Sequence, residues 1–397
     1  MRIFIISQNY YPDNFRINDL SATLVKRGHD VRVLTGLPDY ATSRVPEEYK
    51  GFKNRRQNIG GVEVVRVPVI ARRSGMFFRC LNYLSFALAA CVYCLFMLWE
   101  FDVIYVYGTS PVTSLCPAVL LKRMRRKNIF YYCLDLWPES MKIGGVSDES
   151  FLYRMVAVFS RWLYSQCDHI AVTSRPFMDY MERINGVFPD RMDYLPQDAE
   201  ESCLASNFTA VDNGVADFVF MGNIGKVQDV VCIIEAAERL RETPGIRVHL
   251  VGGGSDVENC KRLVRKKGLE KRVLFYGRRP PEEMEKYYRL ADACLLTLRC
   301  DTAVGFTLPG KLQGYMAAGK PVIAAIDGAA SEIIAEAGCG LCARAGDAAG
   351  LAEMMRRFAK SPENYRLCGE RGRKYFKEHF EKERHITQLE TRLYELI

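Results

Sequence analysis

The feature that most constrains the fold of this chain is a repeated alternation. Short apolar runs ending in glycine or a polar turn are each followed by a stretch with helical spacing. In the first half the runs are residues 2–7 (RIFIIS), 30–35 (DVRVLT), 62–67, 103–107, 129–133, 169–173 and 192–195, and the helical stretches include 19–27, stopped by Gly28, and 115–126. A second series begins after Pro196, with runs at 217–221, 247–251, 272–276, 293–298 and 321–326 and a helix over 230–241. Continuous Val/Ile-rich runs are the mark of parallel strands buried on both faces, and alternation with helices makes them doubly wound α/β sheets. The 397 residues suit two or three domains. The polar segment 198–214 is the linker candidate, so the expected organisation is an N-terminal domain at 1–197, a C-terminal domain at 215–375 and a charged helical tail at 376–397.

Charge is unevenly placed. The chain carries 55 Lys/Arg and 47 Asp/Glu, a net +8, yet residues 51–127 alone carry twelve bases and three acids. Inside that region lies an uncharged nineteen-residue stretch, 81–99, long enough to cross a bilayer. Apolar runs read as strands flank it on both sides and must join one sheet, so the expectation is a helix that packs on the sheet and meets one leaflet. Its basic flanks, Arg72, Arg73 and Arg79 before it and KRMRRK at 122–127, suit an anionic membrane surface; an ordinary buried helix with a solvated basic face is the alternative. The basic segment lacks the interleaved aromatics of a nucleic-acid module, and no nucleic-acid partner is expected. The fourteen cysteines are scattered singly through apolar stretches and no secretory leader opens the chain, which points to free thiols in a cytoplasmic protein. Two CxxC spacings, Cys91/Cys94 in the apolar helix and Cys339/Cys342 in an expected turn, lack the further ligands of a zinc site, so no metal is expected.

Ligands of open α/β sheets bind at the carboxyl ends of strands. The second series offers four loops there. Gly222-Asn223-Ile224-Gly225-Lys226 combines glycines with a lysine, Gly252–Gly254 is a glycine turn, Gly277-Arg278-Arg279-Pro280 is basic, and Thr307-Leu308-Pro309-Gly310-Lys311 places a lysine at the start of a helix. Backbone N–H groups, a helix N-terminus and two lysines suit a diphosphate. Each loop can also be only a tight turn with a surface cation. The set contains no GxxxxGK[ST] and no GxGxxG, and it fits a nucleotide-sugar better than ATP or NAD.

On these residues the chain resembles the family 4 retaining GT-B glycosyltransferases of bacterial surface-polysaccharide synthesis, of the O-antigen, capsule and colanic-acid type. The motifs that carry the resemblance are SQNYYPDNFRINDLSATLVKRGHDVRVLTGLPDY at the N-terminus, CLDLWPES at 133–140, FMGNIGKVQD at 220–229 and TLPGKLQGYMAAGKPVIAAIDG at 307–328, followed by SEIIAEAGCGL. The resemblance implies a GT-B fold: two Rossmann-like doubly wound domains facing a cleft, with the terminal helix crossing back to the first. It implies that Gly222, Asn223, Gly225 and Lys226 meet the donor diphosphate from one side and Pro309, Gly310, Lys311 and Gln313 from the other. Gly277 and Arg278 would border the nucleobase, Asn14, Phe15 and Arg16 would face the cleft, and Asp135 and Glu139 would line the acceptor side; acids capping a helix near 140 are the alternative, and for Asp135 its place at a buried strand's carboxyl end favours function. Asp135, Lys226 and Lys311 are the expected catalytic residues.

Three departures accompany the resemblance. A glutamate pair carried by many members falls at Phe306 and Gly314, a histidine after the fourth strand falls near Cys133 and Leu134, and the arginine of the phosphate loop is Asn223. The expected function is transfer of a sugar from a UDP- or GDP-sugar to a polyprenyl-diphosphate-linked glycan at the inner face of the cell membrane, with the nucleotide-sugar as donor substrate and no separate cofactor. The alternative is a non-catalytic partner of the same fold that binds nucleotide-sugar or glycan. An epimerase-type reaction on a soluble substrate fits the membrane-facing features less well.

Overall fold

The computed structural model describes residues 1–397 apart from 41–42, 74, 144, 200, 202, 205, 207, 210–212 and 300–304. It divides into two compact units, Met1–Leu195 with Ile386–Ile397, and Pro196–His385.

The first unit is built on β1 (Arg2–Ile6), α1 (Arg16–Lys26), β2 (Asp30–Thr35), β3 (Arg56–Ile59), β4 (Val62–Arg66), α2 (Met76–Phe96), β5 (Val103–Gly108), α3 (Leu115–Arg125), β6 (Ile129–Cys133), α4 (Ser140–Ile143), α5 (Phe151–Ser165), β7 (His169–Val172), α6 (Arg175–Arg183) and β8 (Met192–Tyr194). Its eight strands run in the order β3-β4-β2-β1-β5-β6-β7-β8. All pair in parallel except β3, which pairs antiparallel with β4 across a Gly60–Gly61 turn. Strand residues alternate between two buried faces. Ile3, Ile5, Val31, Val33 and Tyr105 face α1 and the C-terminal residues Ile386, Leu389 and Leu393. Phe4, Ile6, Ile104 and Val106 are buried as well, and on their side Phe86, Ala90 and Cys94 of α2 and Leu163 and Tyr164 of α5 are buried.

The apolar helix runs over 76–96, five residues earlier at its start than the 81–99 expected, and Trp99 lies beyond it. It begins at Gly75 and ends where Met97 turns extended toward β5. By length and composition it passes for a membrane span. It is nevertheless the crossover between β4 and β5, both of which belong to the same parallel sheet, so it does not cross a bilayer.

The second unit contains β9 (Ala216–Met221), α7 (Val230–Arg239), β10 (Ile246–Val251), α8 (Val257–Lys266), β11 (Val273–Gly277), α9 (Met284–Leu290), β12 (Ala293–Thr297), α10 (Gly310–Ala317), β13 (Val322–Ala325), α11 (Ala329–Ala337), β14 (Gly340–Ala343), α12 (Ala348–Lys360), α13 (Arg366–His379) and the first residues of α14 (Lys382–Glu395). Its six strands are all parallel in the order β11-β10-β9-β12-β13-β14, with a buried apolar cluster on each face. The segment around Cys339/Cys342, read from sequence as a turn, is strand β14. Gly340 hides it, because a Cβ there would stand 1.8 Å from the Val322 carbonyl oxygen, so the strand opens on a residue of poor strand propensity.

The charged tail is two helices, not one. Phe376 and Phe380 are anchored in the second unit's core, whereas Ile386, Leu389 and Leu393 belong to the first unit's, so the helix breaks between them. Part of the expected linker 198–214 lies outside the described residues. Its described part is bonded to the second unit: Ala199 N–H donates to Phe380 O, and Arg373 donates to the carbonyls of Cys203 and Ser206.

Candidate functional site

In each sheet the strand order reverses at one point, between β1 and β5 in the first unit and between β9 and β12 in the second. The loops leaving those strands diverge there and open a crevice at the strand ends. In each unit the candidate residues are therefore sought in the loops at the carboxyl ends of the strands, and the two units are described in turn.

In the second unit the loop after β9 is held tightly. Gly222 N–H donates to Val251 O at 2.8 Å, Ile224 N–H to Gly253 O at 2.9 Å, and Gly252 N–H to Gly277 O at 2.9 Å. The approach is too close for side chains: a Cβ on Gly252 would stand 1.7 Å from the Gly222 carbonyl oxygen. Gly225 N–H is taken by Gln228 Oε1 at 3.2 Å, and Asn223 Nδ2 donates to the same oxygen at 3.0 Å. Three amides of the loop are thus already bonded, two to the end of β10 and the turn after it and one to Gln228. What the loop presents outward is the exposed Lys226 and Asn223.

Lys311 meets this loop from the first turn of α10. Its Nζ lies 4.0 Å from the Phe220 ring centroid and 3.4 Å from Asn223 O. A Cβ on Gly222 would stand 2.3 Å from Lys311 Cε, so the lysine stem lies directly over that glycine. Burial pushes the ammonium down from 10.5 to about 8. A desolvated cation on an aromatic face and a backbone carbonyl, beside a helix N-terminus, is poised to gain from an incoming anion. Pro309 caps α10 and Gly310 is its exposed first residue. Gln313, one turn in, is buried and donates to Gln197 O at 2.7 Å, which fixes the chain entering the second unit.

Gly277 and Arg278 are exposed at the end of β11, with Arg278 Cβ 3.6 Å from where a Cβ on Gly253 would lie. At the position of the first departing glutamate, Phe306 is half-buried. At the second, a Cβ on Gly314 would stand 3.2 Å from the hydroxyl of the buried Tyr288. That hydroxyl occupies the space into which a longer side chain at 314 would extend.

In the first unit, Asn14, Phe15 and Arg16 end the loop after β1 and open α1. Phe15 packs edge-on against Tyr40 with centroids 4.9 Å apart. Asp135, after β6, accepts from Ser110 N–H at 2.8 Å through Oδ2, and so ties its loop to the one after β5 at the switch point. Glu139 turns inward. It is buried, paired with Lys142 at 3.1 Å and accepting from the hydroxyls of Tyr153 at 3.1 Å and Tyr180 at 3.2 Å, so it knits α5 and α6 to the loop.

Other residues gather here that the sequence reading did not single out as site residues. The Arg72 guanidinium lies 4.7 Å from the Tyr40 ring and 6.0 Å from Tyr83. Trp137 stands edge-on to Tyr83 at 6.5 Å and donates from Nε1 to Ser110 Oγ at 3.1 Å. Asn82 of α2 donates to Asp39 Oδ2 at 2.9 Å and Ile70 O at 2.7 Å and accepts from Gln8 at 2.8 Å. Asp39 also accepts from Arg72 N–H at 2.7 Å, and burial raises its pKa. A lone asparagine in a nineteen-residue uncharged run was the available signal, and Trp137 stood within DLWPES. Arg72, assigned from sequence to the membrane flank, is engaged at the strand ends.

Comparison with known proteins agrees with this architecture. Residues 14–198 match the family described as Glycosyl transferase 4-like domain, and residues 206–375 the family Glycosyl transferases group 1. The chain is 24% identical over 344 residues to WcaI of Escherichia coli (strain K12), assigned to colanic acid biosynthesis as a glycosyl transferase, covering 80% of this chain and 82% of that one. Among solved structures, sucrose-phosphate synthase of Thermosynechococcus elongatus superposes with a TM-score of 0.74 at 17% identity, over 100% of this chain and 98% of that one. The Anabaena protein HepE in complex with UDP superposes with a TM-score of 0.72 at 14% identity over 100% of both.

Proposed function

We propose that this chain, a GT-B glycosyltransferase by its fold and by the domain families of its two halves, moves a sugar from a nucleotide-diphosphate sugar to a lipid-linked glycan at the cytoplasmic face of the cell membrane, with retention at the anomeric carbon. The observation that carries the donor reading is Lys311, an ammonium held over Phe220 and against the loop that bears Lys226, with no carboxylate paired to it among the described residues. HepE, of the same fold, has been crystallised with UDP-glucose. The acceptor reading is supported by the relationship to WcaI and by the apolar outer face of α2, where Leu84, Leu88, Val92 and Phe96 are exposed. Association with the leaflet through residues 72–99 and 122–127 is part of the proposal.

In the step proposed, the acceptor hydroxyl oxygen bonds to the anomeric carbon on the face from which the diphosphate leaves. The carbon–oxygen bond to the β-phosphate breaks, and a phosphate oxygen takes the hydroxyl proton. Lys226 and Lys311 stabilise the charge that develops on the departing diphosphate, in general the largest single contribution to such a step. Asp135, fixed by the Ser110 amide, orients the acceptor. Transfer of labelled sugar from UDP- and GDP-sugars to a membrane lipid extract tests this. Lys226→Ala and Lys311→Ala are each expected to abolish transfer in folded protein, and undiminished turnover in both would refute the assignment. Tyr288 beside Gly314, where many relatives place a glutamate, favours a second reading, a partner that binds nucleotide-sugar without transferring it. UDP binding with no transfer from any donor would select that reading.

A further inference from the structure

The sequence assigns membrane contact to the apolar helix and to the basic run 122–127, which closes α3. The structure adds a surface it did not contain. Helix α5 carries an apolar stripe on its outer side: Phe151, Leu152, Met155, Val158, Phe159 and Trp162 are all exposed, Phe151 at 79% and Val158 at 70%. Their spacing follows the helical repeat, so they form one continuous face. The opposite face, Ser160, Leu163 and Tyr164, is buried against the unit, so the exposed stripe is surplus to what folding of this helix requires. Soluble surfaces seldom leave an apolar stripe of this length uncovered.

Its surroundings name the occupant. Helix α3 packs against both α2 and α5, which places the stripe beside the exposed Met124 and the exposed face of α2. None of the three helices contains an aspartate or a glutamate. Exposed cations border the stripe: Arg154 and Arg161 on α5, and Arg123, whose guanidinium lies 5.6 Å from the Trp162 ring. Before the helix, Asp148 is held by Lys142 at 3.1 Å, and the exposed Glu149 lies at its N-terminal end, off the length of the stripe. A second copy of this chain docking face to face would set guanidinium against guanidinium along the length of the stripe, where the helix itself carries no acid. An anionic lipid surface accepts both components: the apolar side chains enter the headgroup–acyl boundary, the indole sits at the interface and the arginines meet phosphates.

We infer that α5 is a second membrane-contact helix, lying with its stripe in an anionic leaflet alongside α2. The inference rests on the membrane reading proposed above. It adds that contact is made along two helices, which fixes the rotation of the first unit on the bilayer where one helix would leave it free to roll.

The test uses the full chain and vesicles, with and without phosphatidylglycerol in phosphatidylcholine. Wild type is expected to co-sediment with the anionic vesicles and not with pure phosphatidylcholine, and its tryptophan emission is expected to shift to the blue, a shift that Trp162→Phe removes. Met155→Glu with Val158→Glu, both at exposed positions, is expected to weaken binding by about tenfold or more; Leu88→Glu on α2 serves as the separate probe of the α2 reading. If Leu88→Glu loses binding and the α5 double variant binds like wild type, the α5 inference is overturned and the α2 reading stands. If wild type binds neither vesicle, both fall. If wild type dimerises without lipid and the α5 double variant is monomeric, the stripe is a subunit interface and the inference is overturned.

Discussion

Lys311 offers a pH test of the donor site. The free protein carries its ammonium with a pKa pushed down by burial from 10.5 to about 8. The lysine is therefore charged below about pH 8 and neutral above it, and a diphosphate binds the charged form. Between about pH 7 and about pH 9 the charged fraction falls from about nine-tenths to about one-tenth, so the association constant for donor falls about tenfold, about 1.4 kcal/mol. Below about pH 7 affinity is flat with respect to this group. Calorimetric titration of UDP-sugar across this range measures it directly, and on the alkaline side binding also takes up protons. Lys311→Arg stays charged throughout, so its alkaline fall-off should disappear, whereas ionisation of the nucleobase itself persists in both proteins. An affinity in wild type that is level across the range, or one that falls identically in Lys311→Arg, refutes the placement of Lys311 on the diphosphate.

Three further outcomes follow from the geometry. Gly252→Ala drives a Cβ to 1.7 Å from a backbone oxygen and is expected to cost about 3 kcal/mol or more in urea unfolding, whereas Gly222→Ala meets the flexible Lys311 stem and is expected to unfold less and to lose donor binding more. Asn82→Leu leaves the buried Asp39 carboxyl with the Arg72 N–H but without its amide donor, and strands the Gln8 amide, so thermal or urea unfolding should show a loss of about 1–3 kcal/mol; an unchanged midpoint would show that these groups find other partners. Glu139→Gln weakens the buried pair with Lys142, so it is expected to reduce stability by about 1–3 kcal/mol while leaving the acceptor KM near wild type, and a large KM change with full stability would restore Glu139 to the acceptor site.

The sequence revealed the two sheets because parallel strands buried on both faces read as unbroken apolar runs, as in VIYVY and IFYYC. It concealed β14 behind a glycine required by the close approach to Val322, and β3 because an edge strand, RQNI, has no such run. Helix α5 and its exposed stripe are a different case. Its spacing is amphipathic, but spacing alone does not show which of its apolar residues the fold leaves exposed. In the donor site the lysines and glycines were legible because strand-end loops with those residues suit phosphate. Bonds such as Gln313 to Gln197 and Glu139 to two tyrosines were not, since a side chain's direction depends on neighbours distant in sequence. The Arg72, Tyr40, Tyr83 and Trp137 cluster likewise draws on four separate segments.

The central claim is that Lys226 and Lys311 together receive the diphosphate of a nucleotide-sugar. Calorimetric titration of UDP into wild type and into a folded Lys226→Ala/Lys311→Ala double variant, below pH 8 where Lys311 is charged, tests it most directly. The account predicts a loss of affinity of about a hundredfold or more, the removal of two charge-assisted contacts. Equal affinity in the two proteins would contradict it.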